Sequence, residues 1–391
     1  MRRVLSRIER HLRRASTSPP TMPATPVVLA YYTSWSAYEP RNYHALDMPV
    51  EHLTHINYAF ANIKDGKIAL GDSWADVERA HELKHPDGSP AGTFRGNFEV
   101  LNRPDSPFRR RNPNIRTLIS VGGWTFSKDF SLVARTPESR HVFTQSVLDF
   151  VTQHRFDGVD LDWEYPVEGG MDHNHRHPDD GRNFTLLLRE LRAGLDVLAQ
   201  SLGRERFLLT VATGATEQTA RHFDVPGLAE SCDWINVMTY DAAGPWSSTA
   251  AHHAPLDFAT TSLALYQRLG APTYKLALGV PFYGRSFTGV RSIQSGQPYG
   301  GTGPGTHEPG VVDWDDLCAN YTPAQGYVRE GCVWWHPQTG VWVGADDEEA
   351  MARKGRLARE MGLAGVFWWE MSMDRRAELV RAVRRGMGYP E

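Results

Sequence analysis

Cysteine is scarce: Cys232, Cys318 and Cys332 are the three in 391 residues. They are too few for a disulfide framework in so long a chain, and none stands at a zinc-ligand spacing. Cys318 and Cys332 flank a loop containing Gly, Pro and Tyr and could pair in an oxidising compartment, whereas Cys232 precedes an apolar strand and reads as a small core residue. A strong charge of one sign is also missing. The formal net charge is −4, which gives no broad basic field, so nucleic-acid binding is not expected. No stretch reaches the ~18 uninterrupted apolar residues of a membrane span. The first residues also lack the apolar core of about 7–15 residues that a conventional signal peptide needs. The tail over residues 1–26 is instead Arg-rich and then rich in Pro, Ser and Thr. It reads as a solvated segment; the helical spacing of Val4, Leu5, Ile8 and Leu12 leaves organelle targeting or membrane-surface contact as the other readings.

Aromatic residues are plentiful. Twelve Trp, 14 Tyr and 16 Phe supply flat apolar faces that fill a core or stack against sugar rings. From residue 27 onward, eight short apolar runs alternate with helical patterns. The runs cover 27–32, 53–61, 115–123, 158–164, 207–213, 234–240, 275–283 and 364–370. Helical periodicity covers 137–153, 182–201, 257–269, 347–361 and 375–385, the first opened by Thr136-Pro137. Alternation of this kind predicts an α/β fold, a (β/α)8 TIM barrel. Residues 62–114 read as a polar loop. Residues 286–345, rich in Gly, Tyr and Trp, read as a small α+β insertion domain after the seventh strand. The expected organisation is a tail over 1–26 and a barrel over 27–385 that contains the insertion at 286–345.

The fourth run, "GVDLDWE" at 158–164, places acids where a core strand is expected. Side chains alternate along a strand, so Asp160, Asp162 and Glu164 share one face, with about 6.6 Å of rise between successive members. Asp157 has the other parity and is expected at an entrance or a bulge. In a barrel the shared face is the inner one, and Glu164 falls at the carboxyl end, where barrel active sites form. Crowded carboxylates in a low-dielectric interior cannot all ionise cheaply, so one or more should hold a proton, as a general acid requires.

The stretch "DGVDLDWE" resembles the DxxDxDxE signature of glycoside hydrolase family 18, the chitinases and their relatives. The resemblance runs over about 27–374 and is nearest the fungal-type endochitinases with an insertion domain. It includes "SVGGW" (120–124), "MTYD" (238–241), "PFYGRSF" (281–287) and "AGVFWWE" (364–370), with "AYYTSWSAYEPRNY" and "LTHINYAFANI" matching the first two strands. Residue by residue, it implies that Glu164 donates the proton to the glycosidic oxygen. Asp162 would orient the substrate's 2-acetamido group, Asp160 would share a proton or charge with Asp162, and Tyr240 would bond the acetamido carbonyl. Met238 and Asp241 would line that pocket, and Trp369, four residues after Gly365, would be its floor, leaving Trp368 to the core. Tyr31, Phe60, Ser120, Gly123, Trp124, Tyr283 and Arg285 would complete it, with Ser120 bonded to the inner carboxylate. The implied reaction is substrate-assisted and retaining, the acetamido oxygen attacking C1. No metal or other cofactor is implied.

Ala30 and Ala364 stand where family members commonly carry glycine. The three alternating His of "MDHNHRHPDD" (171–180) suggest a metal site, but a polar loop beside the cleft is the expectation because the reaction needs no metal. Trp246 either stacks on the leaving-group side or packs its loop, and Trp314, Trp334, Trp335 and Trp342 read as insertion core. The expected partner is chitin or chitooligosaccharides, acted on by a monomer, with endo action as the expectation of a long groove. A non-catalytic chitin-binding lectin and an endo-β-N-acetylglucosaminidase on N-glycans are the alternatives. The resemblance suggests an extracellular location.

Overall fold

The computed structural model describes residues 25–84 and 87–390. The expectations for residues 1–24 of the basic tail fall outside the described residues. Strands form at all eight apolar runs: β1 Val27–Thr33, β2 His55–Lys64, β3 Arg116–Gly122, β4 Gly158–Asp162, β5 Leu208–Gly214, β6 Trp234–Met238, β7 Leu276–Pro281 and β8 Gly365–Trp369. Each pairs in parallel with the next, and β8 pairs with β1, so the sheet closes into the predicted (β/α)8 barrel. Strands buried on both faces explain why these runs are nearly continuous in apolar residues.

Helices cover the outside. Helix α1, Pro137–Gln153, begins where the sequence signals it, the Thr136 side chain accepting from the Ser139 N–H. Helices α2 (Asp180–Leu202), α3 (Leu256–Arg268), α4 (Glu348–Met361) and α5 (Glu378–Met387) follow, and α4 is capped by Asp347, which accepts from the Ala350 N–H at 2.7 Å. Strand parity then separates two cores. Val28, Ala30 and Tyr32 face the helices, whereas Val27, Leu29 and Tyr31 face the lumen beside Trp234 and Phe367. Among the described residues no helix is long and apolar enough to cross a membrane.

The stretch 62–114 is not the loop its polarity suggests. Lys67–Ala69 extends β2 as a hairpin, Ala80–Lys84 pairs antiparallel with Pro90–Arg95, and helices cover Gly96–Asn102 and Pro107–Arg111. Each element is too short to show a period, and burial of a few aromatics holds them in place. Phe98 packs edge-on against Tyr58, Phe150 and Phe156 at 5.1, 5.8 and 5.0 Å.

The region after β7 forms a six-stranded antiparallel sheet with one helix, Trp314–Asn320. It begins at Tyr283, three residues before the expected position, because Tyr283–Thr288 pairs with both Val311–Asp313 and Trp342–Gly344. Of the four tryptophans expected in its core, Trp314, Trp334 and Trp342 are buried, and Trp335 is half-buried. A buried ion pair ties the sheet to the barrel: Lys354 of α4 donates to the Ala254 carbonyl at 2.6 Å and pairs with Asp346. The two side chains are 1% and 2% exposed. Lys354→Met leaves a buried carboxylate without its cation and is expected to lower stability by about 3–5 kcal/mol in urea unfolding, with much of the loss recovered in Lys354→Met/Asp346→Leu. A loss below about 1 kcal/mol would show that the pair is no anchor.

Candidate active site

Asp160 and Asp162 project into the lumen from β4, between Val159 and Leu161 in the outer core. The ladder ends at Asp162, and Glu164 follows just beyond it at the carboxyl end. Trp163 locks this parity from outside: it is fully buried and stacks on Phe130 at 5.3 Å with 14° between the rings.

Asp160 is the most heavily bonded of the three. Ser120, Asp160 and Thr210 are register partners on adjacent strands, so both neighbours reach it sideways. Oδ2 accepts from the Tyr31 hydroxyl (2.8 Å) and Ser120 Oγ (2.7 Å), while Oδ1 accepts from Thr210 Oγ1 (2.6 Å) and Asn236 Nδ2 (3.3 Å). Asn236 is itself oriented by Trp234 Nε1 at 2.9 Å. Burial pushes the Asp160 carboxyl up, and these donors oppose it. Both oxygens are thus occupied, and among the described residues no hydrogen bond joins Asp160 to Asp162.

Asp162 contrasts with it. Only 4% of the residue is exposed, yet its Oδ1 has no partner among the described residues. Burial, then the charges of Glu164 and Asp160, push its carboxyl well above the usual range. Burial likewise pushes Glu164 up to about 7, against the Tyr165 hydrogen bond. Each carboxyl is thus shifted toward its protonated form, Asp162 in part by the Glu164 charge. Ser127 Oγ accepts the Glu164 N–H at 2.8 Å and Asn174 Nδ2 donates to the Glu164 carbonyl at 2.9 Å, which fixes the backbone carrying the acid.

The walls come from β6, β7 and β8. Tyr240 packs edge-on against Tyr283 and Phe367 at 6.4 and 6.2 Å, beside Met238. Asp241 accepts from the Tyr283 hydroxyl and from Nε and Nη2 of Arg285, each at 2.8 Å. Burial alone would raise its carboxyl, but His253 and Arg285 hold it well below the usual range. Trp369 stacks on Phe60 at 5.7 Å and 17°, with Tyr31 at 5.8 Å and Trp35 at 6.2 Å. Trp368 lies in the outer core, stacked on Phe282. Gly123 has φ +70°, and a Cβ there would lie 2.5 Å from the Phe60 ring, so the turn into the site needs glycine. Trp124 is 51% exposed and Trp246 62%, the latter with the Arg285 guanidinium 5.1 Å from its ring centroid.

Two expectations need correction. Asp157 lies at no cleft entrance or bulge; it precedes β4 at the amino-terminal end, where it bonds Arg109 (3.1 Å), Arg204 (3.0 Å) and the Thr117 N–H (3.0 Å). Cys318 and Cys332 do not pair: both are free thiols, pushed up by burial to about 12 and 11. The triad of potential metal ligands that does gather, His252, Cys332 and Asp346, is not the 171–180 loop. In that triad Lys354 already pairs Asp346, and His252 Nδ1 accepts the Ala254 N–H at 2.9 Å. Sequence reading also missed Thr210, Asn236, Ser127, Trp35 and His253. Thr210, Asn236 and His253 reach the site from elements remote in sequence and belong to no acidic or aromatic cluster.

Comparison with known proteins returns one family. The profile described as "Glycosyl hydrolases family 18" matches residues 27–374. Chitinase A1 of Niallia circulans is 37% identical over 90% of this chain, which spans 57% of that protein's length. Chitinase 1 of Aphanocladium album is 31% identical over 92% of the chain and 84% of its own length. Among solved structures, a chitinase from Bacillus thuringiensis superposes with TM-score 0.83 at 30% identity, covering 94% of this chain and 70% of that one. The Ostrinia furnacalis Group IV chitinase in complex with allosamidin gives TM-score 0.80 at 30% identity, covering 93% and 99%.

Removing one donor from Asp160 leaves part of a buried carboxylate unsatisfied. Ser120→Ala is expected to push the Asp160 carboxyl further up in a carbon-13 carboxyl titration and to lower stability by about 1.5–3 kcal/mol. An unchanged Asp160 titration would show that its other donors suffice.

Proposed function

As the chain belongs to the family 18 glycosyl hydrolases, we propose that it is a chitinase, cutting β-1,4-linked N-acetylglucosamine polymers by substrate-assisted, retaining catalysis. The observation that carries this reading is the unequal bonding of three adjacent carboxyls. Asp160 is saturated by four donors, Asp162 keeps one buried oxygen unpartnered, and Glu164 is raised to about 7. That leaves one proton donor and one acceptor aimed at a ligand. Glu164 protonates the glycosidic oxygen as the C1–O bond breaks. The acetamido oxygen of the sugar on the non-reducing side attacks C1, and Asp162 accepts the acetamide N–H and stabilises the positive charge that develops there. Tyr240 bonds the acetamido oxygen, Met238 and Asp241 line the pocket, and Trp369 floors it. Glu164, now a carboxylate, takes a proton from the water that opens the oxazolinium at C1, which restores both the enzyme and the original anomer.

Exposed aromatics support an extended groove and an endo mode. Trp35, at 40% exposure, stands 6.2 Å from Trp369, and Trp74, at 43%, lies 5.2 Å from Tyr38. Exposed aromatic faces beyond the floor tryptophan favour a polymer over a compact N-glycan core, and a raised Glu164 favours cutting over lectin binding. In this reading the six-stranded sheet walls the groove as an insertion domain, the protein works as a monomer, and it meets its polymer outside the cell.

Glu164→Gln keeps the shape and loses the transferable proton. Hydrolysis of a chitin hexamer is expected to fall about 10²-fold or more with oligosaccharide affinity retained in calorimetry; normal turnover would remove Glu164 from its role. Because the raised carboxyl holds its proton below about 7 and loses it above, kcat/KM should fall as pH rises through about 7. A plateau extending well into the alkaline range would contradict that assignment. On partly acetylated chitosan, new reducing ends should carry N-acetylglucosamine, and frequent glucosamine at those ends in mass spectrometry would rule out the substrate-assisted step.

A further inference from the structure

We infer that His253 is a positioning residue that fixes Asp241 and Tyr283 as one unit at the wall of the active site. The inference rests on the proposed function, in which Asp241 lines the acetamido pocket. His253 is fully buried, so it acts through its neighbours and not on a ligand.

Its ring is held by groups that can play only one part each. Nε2 lies 3.1 Å from the Tyr283 carbonyl, which only accepts, so Nε2 carries a proton. Nδ1 lies 3.3 Å from the Asp241 backbone nitrogen, which only donates, and 3.3 Å from Asp241 Oδ1. Neutral, the ring accepts the amide N–H; protonated, it donates to the carboxylate. Either state grips Asp241. The His253 carbonyl also accepts the Ala242 N–H at 2.8 Å, so ring and backbone bracket the residue pair.

The bracket has a strained conformation to hold. Asp241 has φ +60°, a left-handed conformation that is unfavourable for a residue with a Cβ. The circuit closes through Tyr283: its ring lies 4.8 Å from that of His253, and its hydroxyl donates to Asp241 Oδ1 at 2.8 Å. Arg285, two residues on, completes the grip on the carboxylate. Without the imidazole, the Asp241 amide loses its acceptor and the Tyr283 carbonyl its donor, and nothing else in the circuit replaces them. The partner on the other side, His252, faces Asp346 at 3.5 Å and stacks on His253 at 5.8 Å, which places the insertion anchor next to this circuit.

The test uses the full chain and a soluble N-acetylglucosamine tetramer, reading kcat, KM and Tm together. His253→Ala is expected to lower kcat about 10²-fold, the scale of a displacement near 1 Å. His253→Asn, whose amide oxygen can accept the Asp241 N–H, should recover most of it. His253→Gln, whose amide can still donate to the Tyr283 carbonyl, should keep Tm close to wild type yet remain slow, which covers the case in which the Ala variant does not fold. On an Asp241→Ala background, where only the main-chain contacts of the ring remain, His253→Ala should cost much less than it does alone. Wild-type kinetics in His253→Ala, or a full additional loss on the Asp241→Ala background, would overturn the inference. A wild-type protein inactive on the tetramer would sink the functional reading instead, and crystal structures would then decide His253 alone. An Asp241 carboxylate released from Tyr283 and Arg285 in His253→Gln supports its role, and an unmoved one overturns it.

Discussion

Three carboxyls withdrawn from water inside a barrel are the constraint to which the rest of this site is fitted. An unpaired buried carboxylate is costly enough that the group takes up a proton before it stays charged. The barrel resolves this unequally. Donors from four different strands converge on Asp160, Asp162 keeps an unmatched oxygen, and Glu164 is raised beside it. The inequality is useful because identical environments would give identical acids, whereas a general acid needs a neighbour that behaves differently. Asp241, some distance round the wall, is the opposite case: cationic and hydroxyl partners hold it ionised despite burial.

Aromatic packing supplies the geometry that makes the inequality possible. Trp163 on the outer face and Trp369 on the inner face follow the same strand rule, one residue parity apart in effect: Trp163 stacks on Phe130, and Trp369 on Phe60. Trp368 and Trp369 are adjacent, yet Trp368 is buried in the outer core and Trp369 is half-buried against the lumen cluster as well. A shift of one residue in β4 would put the Trp163 indole at the cleft in place of a carboxyl.

The barrel strands and the acidic row were legible in the sequence because both obey short periods. Alternation placed Asp160, Asp162 and Glu164 on one face, and the apolar runs marked strand positions within a few residues. Less was legible where a contact depends on closure of the barrel. Thr210 meets Asp160 only because β5 pairs with β4 in that register, and His253 meets Asp241 only because the chain after β6 turns back. Neither residue has a local signature. The same holds for 80–111, whose short strands and helices are stabilised by Phe94, Phe98 and Phe108 in the outer core and not by any amphipathic period. Asp157 shows the converse. Its parity already set it apart from the row, but only the fold shows that it lies among arginines at the opposite end of the barrel and not at an entrance or a bulge.

In the proposed reaction the nucleophile belongs to the substrate, and the protein supplies one acid and one matched carboxylate. Stereochemistry reports on this before any residue is changed. Proton NMR of a chitin oligomer during the first minutes of hydrolysis, before mutarotation, reads the anomer at the new reducing end. Two displacements at C1 predict the β-anomer in excess. An initial excess of the α-anomer would mean a single displacement by water, and would contradict the account.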